Sequence, residues 1–158
     1  MSATTEGRPV RVAIVGAGSL AERVHYPSLT NNPQVDLVGM CDIDAERLNL
    51  VGERFGIASR YADYRQMVNE LAPEAVYAIG QPEYMYSIWS WCLARGIHLF
   101  VEKPLGLTLH QARMLTYLAE ENNCITQVGF QRRTSPVLIK AQEMIAGRGP
   151  VTLSLIHI

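Results

Sequence analysis

Short runs of apolar, largely β-branched residues recur along the chain, each closed by glycine or a charged residue. They are Val10–Gly16 (VRVAIVG), Val35–Asp42 (VDLVGMCD), Glu74–Gly80 (EAVYAIG), Ile97–Glu102 (IHLFVE) and Cys124–Phe130 (CITQVGF). Apolar residues fill adjacent positions in these runs, which suits strands buried on both faces of a parallel sheet. Between the runs the spacing turns helical. Asp44–Gly56 opens on an N-cap Asp, sets Leu48, Val51 and Phe55 on one face and stops at Gly. Pro82–Gly96 begins with Pro and ends in Arg-Gly, the usual asymmetry of helix ends. Thr108–Asn123 has a Thr cap, with Ala112, Leu115, Leu118 and Ala119 at helical spacing. Strand and helix alternating in this way predict an α/β fold with a doubly wound parallel sheet. There is no internal repeat and no low-complexity segment.

Composition narrows the function classes. The 158 residues fit one domain with a real core, 48% of them are apolar, 18% are charged, and the net charge is −1. That balance argues against disorder, a nucleic-acid-coating surface and a basic membrane-hugging face. No apolar run approaches the ~20 residues that span a bilayer, and the polar N-terminus MSATTEGRP has no signal-peptide core. Cys41, Cys92 and Cys124 are odd in number and widely spaced, without a CxxC pair. They predict a reduced, cytoplasmic compartment, with all three buried as small apolar residues.

The first run leads into Gly16-Ala17-Gly18-Ser19-Leu20-Ala21, a G-x-G-x-x-A turn. Gly16 permits the tight turn, Gly18 lets backbone approach a pyrophosphate, and the small Ala21 lets the next helix pack closely with its N-terminus toward the phosphates. Following a strand and opening a helix, the pattern predicts a Rossmann-type dinucleotide site with Ser19 and Leu20 in the cradle. Asp42 ends the second run 21 residues beyond Ala21, near the spacing of the acid that holds a ribose 2′-hydroxyl. The cofactor expected is NAD. NADP is not excluded, because Arg47 is close in sequence, and Asp42 capping the following helix is the competing role.

Open α/β sheets bind ligands at the carboxyl ends of their strands. Gly80-Gln81-Pro82, Glu102-Lys103-Pro104 and Gln131-Arg132-Arg133 all follow predicted strands and so share the dinucleotide's edge. There a Lys can donate a proton, orient a hydroxyl or anchor a carboxylate. With VAIVGAGSLA, Asp42, YADYRQMV, RGIHLFVEKPLGLT and VGFQRR, residues 9 to 150 resemble the N-terminal half of the Gfo/Idh/MocA family. These are the relatives of glucose–fructose oxidoreductase and inositol dehydrogenase. The resemblance implies a dehydrogenase acting on a sugar, cyclitol or related polyol, in a full-length parent that is a homo-oligomer. Lys103 would be catalytic, at the reacting carbon beside the nicotinamide. Glu102 and Pro104 would shape the loop around that ring through a cis Lys103–Pro104 bond. Gln81, Pro82 and Gln131 would complete the cofactor site. An alternative on the same fold is a non-catalytic dinucleotide-binding or sensing module. A methyltransferase is a further rival, with no evident use for Glu-Lys-Pro.

Two departures qualify the resemblance. Relatives often carry a His four or five residues after the Gln81 position, where this chain has Met85 and Tyr86. The family's second, α+β substrate domain, which would supply an acid–base Asp and His, is expected to be missing, since the sequence runs only to GPVTLSLIHI. The domain expectation is therefore a flexible tail over 1–8, the Rossmann domain over 9–148 and the start of a truncated second domain over 149–158. Leu153–Ile158 is what CTG TCT CTT ATA CAC ATC encodes, a transposon-library adapter sequence, so these six residues are expected to be foreign. Of the histidines, His25 and His98 are expected in packing roles, His110 at the surface and His157 in the tail. No metal site is predicted. Trp89, Trp91, Tyr84 and Tyr86 are expected to cluster in the core and a domain interface. Arg132 or Arg133 is expected to touch cofactor or substrate.

Overall fold

The computed structural model describes residues 7–148. The expectations for Leu153–Ile158, His157 and the second domain lie outside the described residues. In chain order the elements are β1 (Val10–Val15), a π-helical turn (Ala21–His25) running into α1 (Tyr26–Thr30), and β2 (Val35–Cys41). Next come α2 (Ala45–Arg54), β3 (Arg60–Tyr61), α3 (Tyr64–Leu71), β4 (Ala75–Ala78), α4 (Pro82–Leu93) and β5 (His98–Val101). The last are α5 (Leu109–Glu121), β6 (Thr126–Val128), a 3-10 turn (Gln131–Thr134) and α6 (Pro136–Ile145). Every strand pairing is parallel, and the sheet order is β3-β2-β1-β4-β5-β6. That is the Rossmann order, with its switch point between β1 and β4.

The predicted caps account for the helix ends. Asp44 Oδ1 accepts the amides of Glu46 and Arg47 at the start of α2, and Thr108 Oγ1 accepts that of Gln111 at the start of α5. The centre of the sheet is buried on both faces. Ala13 and Val15 point to one side, with Met67, Trp89, Leu93 and Leu115 from α3, α4 and α5. Val12 and Ile14 point to the other, with Ala21, Tyr26, Leu48 and Val51. The alternation of β1 thus feeds two cores, each holding helices against the sheet. Arg8, the last residue of the expected tail, forms a bidentate pair with Glu74 at 2.8 and 3.0 Å.

Several expectations need correction. β6 is not buried on both faces. It is an edge strand, only three residues long, and Thr126 and Gln127 are exposed. Apolar surface stays open nearby: Ile125, Phe130, Val137 and Met144 are all exposed, and no residue of α6 is buried. Of the four aromatics only Tyr84 leaves the core, since Tyr86 and Trp91 pack against the cluster that holds Trp89. Trp89 is core, Trp91 packs edge-on to Tyr64 under Arg95, and Tyr84 is exposed.

Cys41 and Cys92 are buried, but Cys124 is only half-buried. Burial, with Asp42 and Asp63 adding, pushes the Cys41 thiol up to about 12, and burial pushes Cys92 up to about 12. Burial also raises Cys124. Since the thiolate is the nucleophile, iodoacetamide at pH 8 should label Cys124 well ahead of the other two in native protein. Peptide mass spectrometry would read this, and denaturant should level the rates. Equal native labelling would mean that the cores are open.

Candidate dinucleotide-binding site

The glycine loop is built by contacts from three sides. Gly16 has φ +107°, and a Cβ there would lie 1.8 Å from the Ile79 carbonyl oxygen, so only glycine lets β1 run this close to the end of β4. The Gly16 N–H donates to Cys41 O at 2.8 Å. The hydroxyl of fully buried Tyr26 donates to Gly16 O at 3.1 Å. The Ala17 N–H donates to Asp42 Oδ2. Helical bonding begins with the Glu22 N–H to Gly18 O at 2.9 Å, and a helix start leaves its leading amides as free donors. A Cβ on Gly18 would meet nothing within 4 Å. The open side of the loop is where a phosphate backbone would lie.

That side faces a cavity of about 770 Å³ at the carboxyl edge of the sheet, within the ~300–1,000 Å³ of small-molecule and cofactor sites. Gly16, Gly18, Ser19, Leu20, Asp42, Gln81, Pro82, Glu102 and Lys103 all line it. Gln131 is brought to the site but not to the cavity wall, since its amide Nε2 donates to Glu102 Oε1 at 2.8 Å. Arg132 and Arg133 are exposed and do not line the cavity; Arg133 lies over the Phe130 ring.

Asp42 does not cap α2; Asp44 does. Besides holding the Ala17 amide, Asp42 accepts the Asp44 N–H at 2.8 Å through Oδ1. A carboxylate has about four acceptor sites, so lone pairs remain for a ribose diol. Arg47, on the same wall, is exposed, with Nε 3.4 Å from Asp44 Oδ2. Free space at Gly18, a helix start and an acid at the end of β2 together fit a dinucleotide.

After β5, Glu102 is buried and Lys103 is exposed. The Lys103–Pro104 bond is cis, as the resemblance implied. Among the described residues, Lys103 Nζ makes no hydrogen bond or ion pair, and Lys103 lines the cavity. Met85, at the position where relatives often have His, is buried with its methyl and sulfur against Gly80.

Sequence reasoning missed two members. Tyr26 belongs to no motif, although a Tyr five residues beyond Ala21 is placed to reach back to the turn. His25 is buried as expected, but its Nε2 lies 3.0 Å from Glu102 Oε1 across 77 positions of sequence. No local spacing signals such a pair.

Residues 10–130 match the family profile described as "Oxidoreductase family, NAD-binding Rossmann fold". The chain is 29% identical over 133 residues to D-glucoside 3-dehydrogenase of Escherichia coli, covering 84% of this chain and 38% of that protein. It is 30% identical over 143 residues to an inositol 2-dehydrogenase/D-chiro-inositol 3-dehydrogenase of Lactiplantibacillus plantarum, covering 89% and 41%. The crystal structure of myo-inositol 2-dehydrogenase from Lactobacillus plantarum superposes with a TM-score of 0.81 at 28% identity, over 88% of this chain and 41% of that one. The chain thus spans about two fifths of the length of these relatives. It belongs to the Gfo/Idh/MocA oxidoreductase family and carries that family's NAD-binding Rossmann domain.

Proposed function

We propose that the chain is the dinucleotide-binding half of an oxidoreductase that transfers a hydride between NAD(P) and a secondary alcohol of a sugar, cyclitol or related polyol. The observation that carries this reading is the Lys103 ammonium, without a partner among the described residues, lining the same cavity as the glycine loop and Asp42. Relatives named as glucoside and inositol dehydrogenases support the polyol class. When bound, the nicotinamide supplies a hydride acceptor or donor. Lys103 hydrogen-bonds the reacting hydroxyl and stabilises negative charge that develops on its oxygen. Glu102 sets the root of the Lys103 loop. Residues beyond this chain supply the acid–base partner and exclude water, in a full-length protein that is a homo-oligomer. Three free thiols suit a reducing, cytoplasmic compartment. Among the described residues, no helix is long and apolar enough to cross a membrane.

Asp42 carries the cofactor preference. Its carboxylate accepts from a ribose diol and repels a 2′-phosphate, so NADH should bind more tightly than NADPH. Asp42→Asn keeps the shape of the side chain and removes its charge. NADH affinity should then fall about tenfold, the scale of one charge-assisted hydrogen bond, while NADPH holds or gains. Fluorescence titration of both cofactors checks this. A clear NADPH preference in the unmutated chain would overturn it.

A further inference from the structure

We infer that His25 is a positioning residue for the nicotinamide end of the site, acting through Glu102. Glu102 is 7% exposed and His25 5% exposed, and both Gln131 Nε2, at 2.8 Å, and His25 Nε2, at 3.0 Å, meet the same oxygen, Oε1. That oxygen already receives the Gln131 N–H, so it acts as acceptor and Nε2 as donor. The imidazole is itself held in one orientation. It packs 5.2 Å from the Phe100 ring and 6.0 Å from Tyr77, and these two rings stack on each other at 4.5 Å. Gly129 leaves room for the arrangement, since a Cβ there would come within 2.9 Å of both Glu102 oxygens. One carboxylate is thereby fixed from the π-helical turn, from β5 and from the segment after β6.

The second oxygen, Oε2, is only loosely engaged, 3.4 Å from the Lys103 N–H. Glu102 and Lys103, after β5, line the same cavity as Asp42, after β2, and the strand order puts the glycine loop after β1 between them. An acid at the end of β2 takes the adenosine ribose and the helix start takes the pyrophosphate, so the Glu102 end is left for the nicotinamide. Removing His25 frees the carboxylate to rotate, and the loop bearing Lys103 moves with it. The adenosine half of the site, held by Asp42 and Tyr26, stays in place. This assignment rests on the dinucleotide reading proposed above.

The test compares NADH with ADP-ribose, which lacks the nicotinamide, by calorimetric titration of the 158-residue chain. His25→Leu should weaken NADH about tenfold, the scale of one hydrogen bond to a buried carboxylate, and leave ADP-ribose within about twofold. His25→Gln, whose amide nitrogen can reach the place of Nε2, should restore NADH binding. His25→Asn, too short to reach it, should behave like Leu and carries the same contrast if His25→Leu does not fold. In a Glu102→Gln background, His25→Leu should add little. Equal weakening of both ligands, no weakening of NADH, or no rescue by Gln would each overturn the inference and leave the dinucleotide reading standing. Failure of the unmutated chain to bind either ligand would overturn both.

Discussion

Lys103→Ala, made in the protein extended to the length of its relatives, should leave NAD affinity within about threefold and lower turnover about 10²–10³-fold, the range for losing one donor that stabilises developing negative charge. The asymmetry follows from where the side chain stands. Lys103, after β5, lines the same cavity as Asp42, and the contacts that shape the glycine loop come from Asp42, Tyr26 and Cys41. Its ammonium has no partner among the described residues, so removal leaves no buried group orphaned and should not unfold the domain. What is lost is a charge that acts on the reacting oxygen, an interaction stronger in the transition state than in the ground state. The effect should therefore fall on kcat more than on KM. A polyol panel followed by NADH absorbance, with cofactor affinity measured separately, reads both quantities. Unchanged kcat would show that the reactive group lies elsewhere.

The 158-residue chain alone should bind dinucleotide and turn over nothing measurable. Hydride transfer needs the substrate held at reaction distance with water excluded, and the cavity described here is open at the sheet edge. Turnover by the chain alone would show that the catalytic groups have been misplaced.

How legible the site was depended on how local its signals were. The glycine turn, the acid at the end of β2 and the Glu-Lys-Pro loop are short patterns whose backbone demands are nearly self-contained, and their residues converge on one cavity. The caps at Asp44 and Thr108 were legible for the same reason. β3 and α3 were not in the hydrophobic pattern: a two-residue strand has no periodicity to detect. β6 was misjudged because an apolar composition reports a tendency to be buried, not which edge of the sheet a strand occupies. His25 shows the limit most clearly. Read alone it is a packing residue near a helix end. Its partner is 77 positions away, and only the sheet order, with β4 beside β1 and β5 beside β4, makes the pair. Gln131, expected at the cofactor site, donates to Glu102, a contact that no local spacing signals.

Two alanine substitutions in the same turn should separate folding from binding. Gly16→Ala asks a side chain to adopt φ +107° and to sit 1.8 Å from the Ile79 carbonyl oxygen. Backbone strain of this kind costs roughly 1–3 kcal/mol, and forcing β1 from β4 adds overpacking of a similar ~1–3 kcal/mol. Against a typical domain stability of about 5–15 kcal/mol, the sum is a large fraction. Each kcal/mol moves Tm by about 2–4 °C at this size, so a fall on the order of 10 °C is expected, with dinucleotide binding lost. Gly18→Ala should do the reverse. No atom lies within 4 Å of the added Cβ, so stability should change by no more than about 0.5 kcal/mol. That methyl, however, occupies the open side of the loop where a pyrophosphate would approach, and NADH affinity should fall at least tenfold, as for any lost close backbone approach worth about 1.4 kcal/mol. Thermal melts paired with NADH titrations distinguish the two. A Gly16→Ala protein that melts like the parent would show that the β1–β4 approach is not as tight as described. A Gly18→Ala protein that binds like the parent would move the phosphate elsewhere.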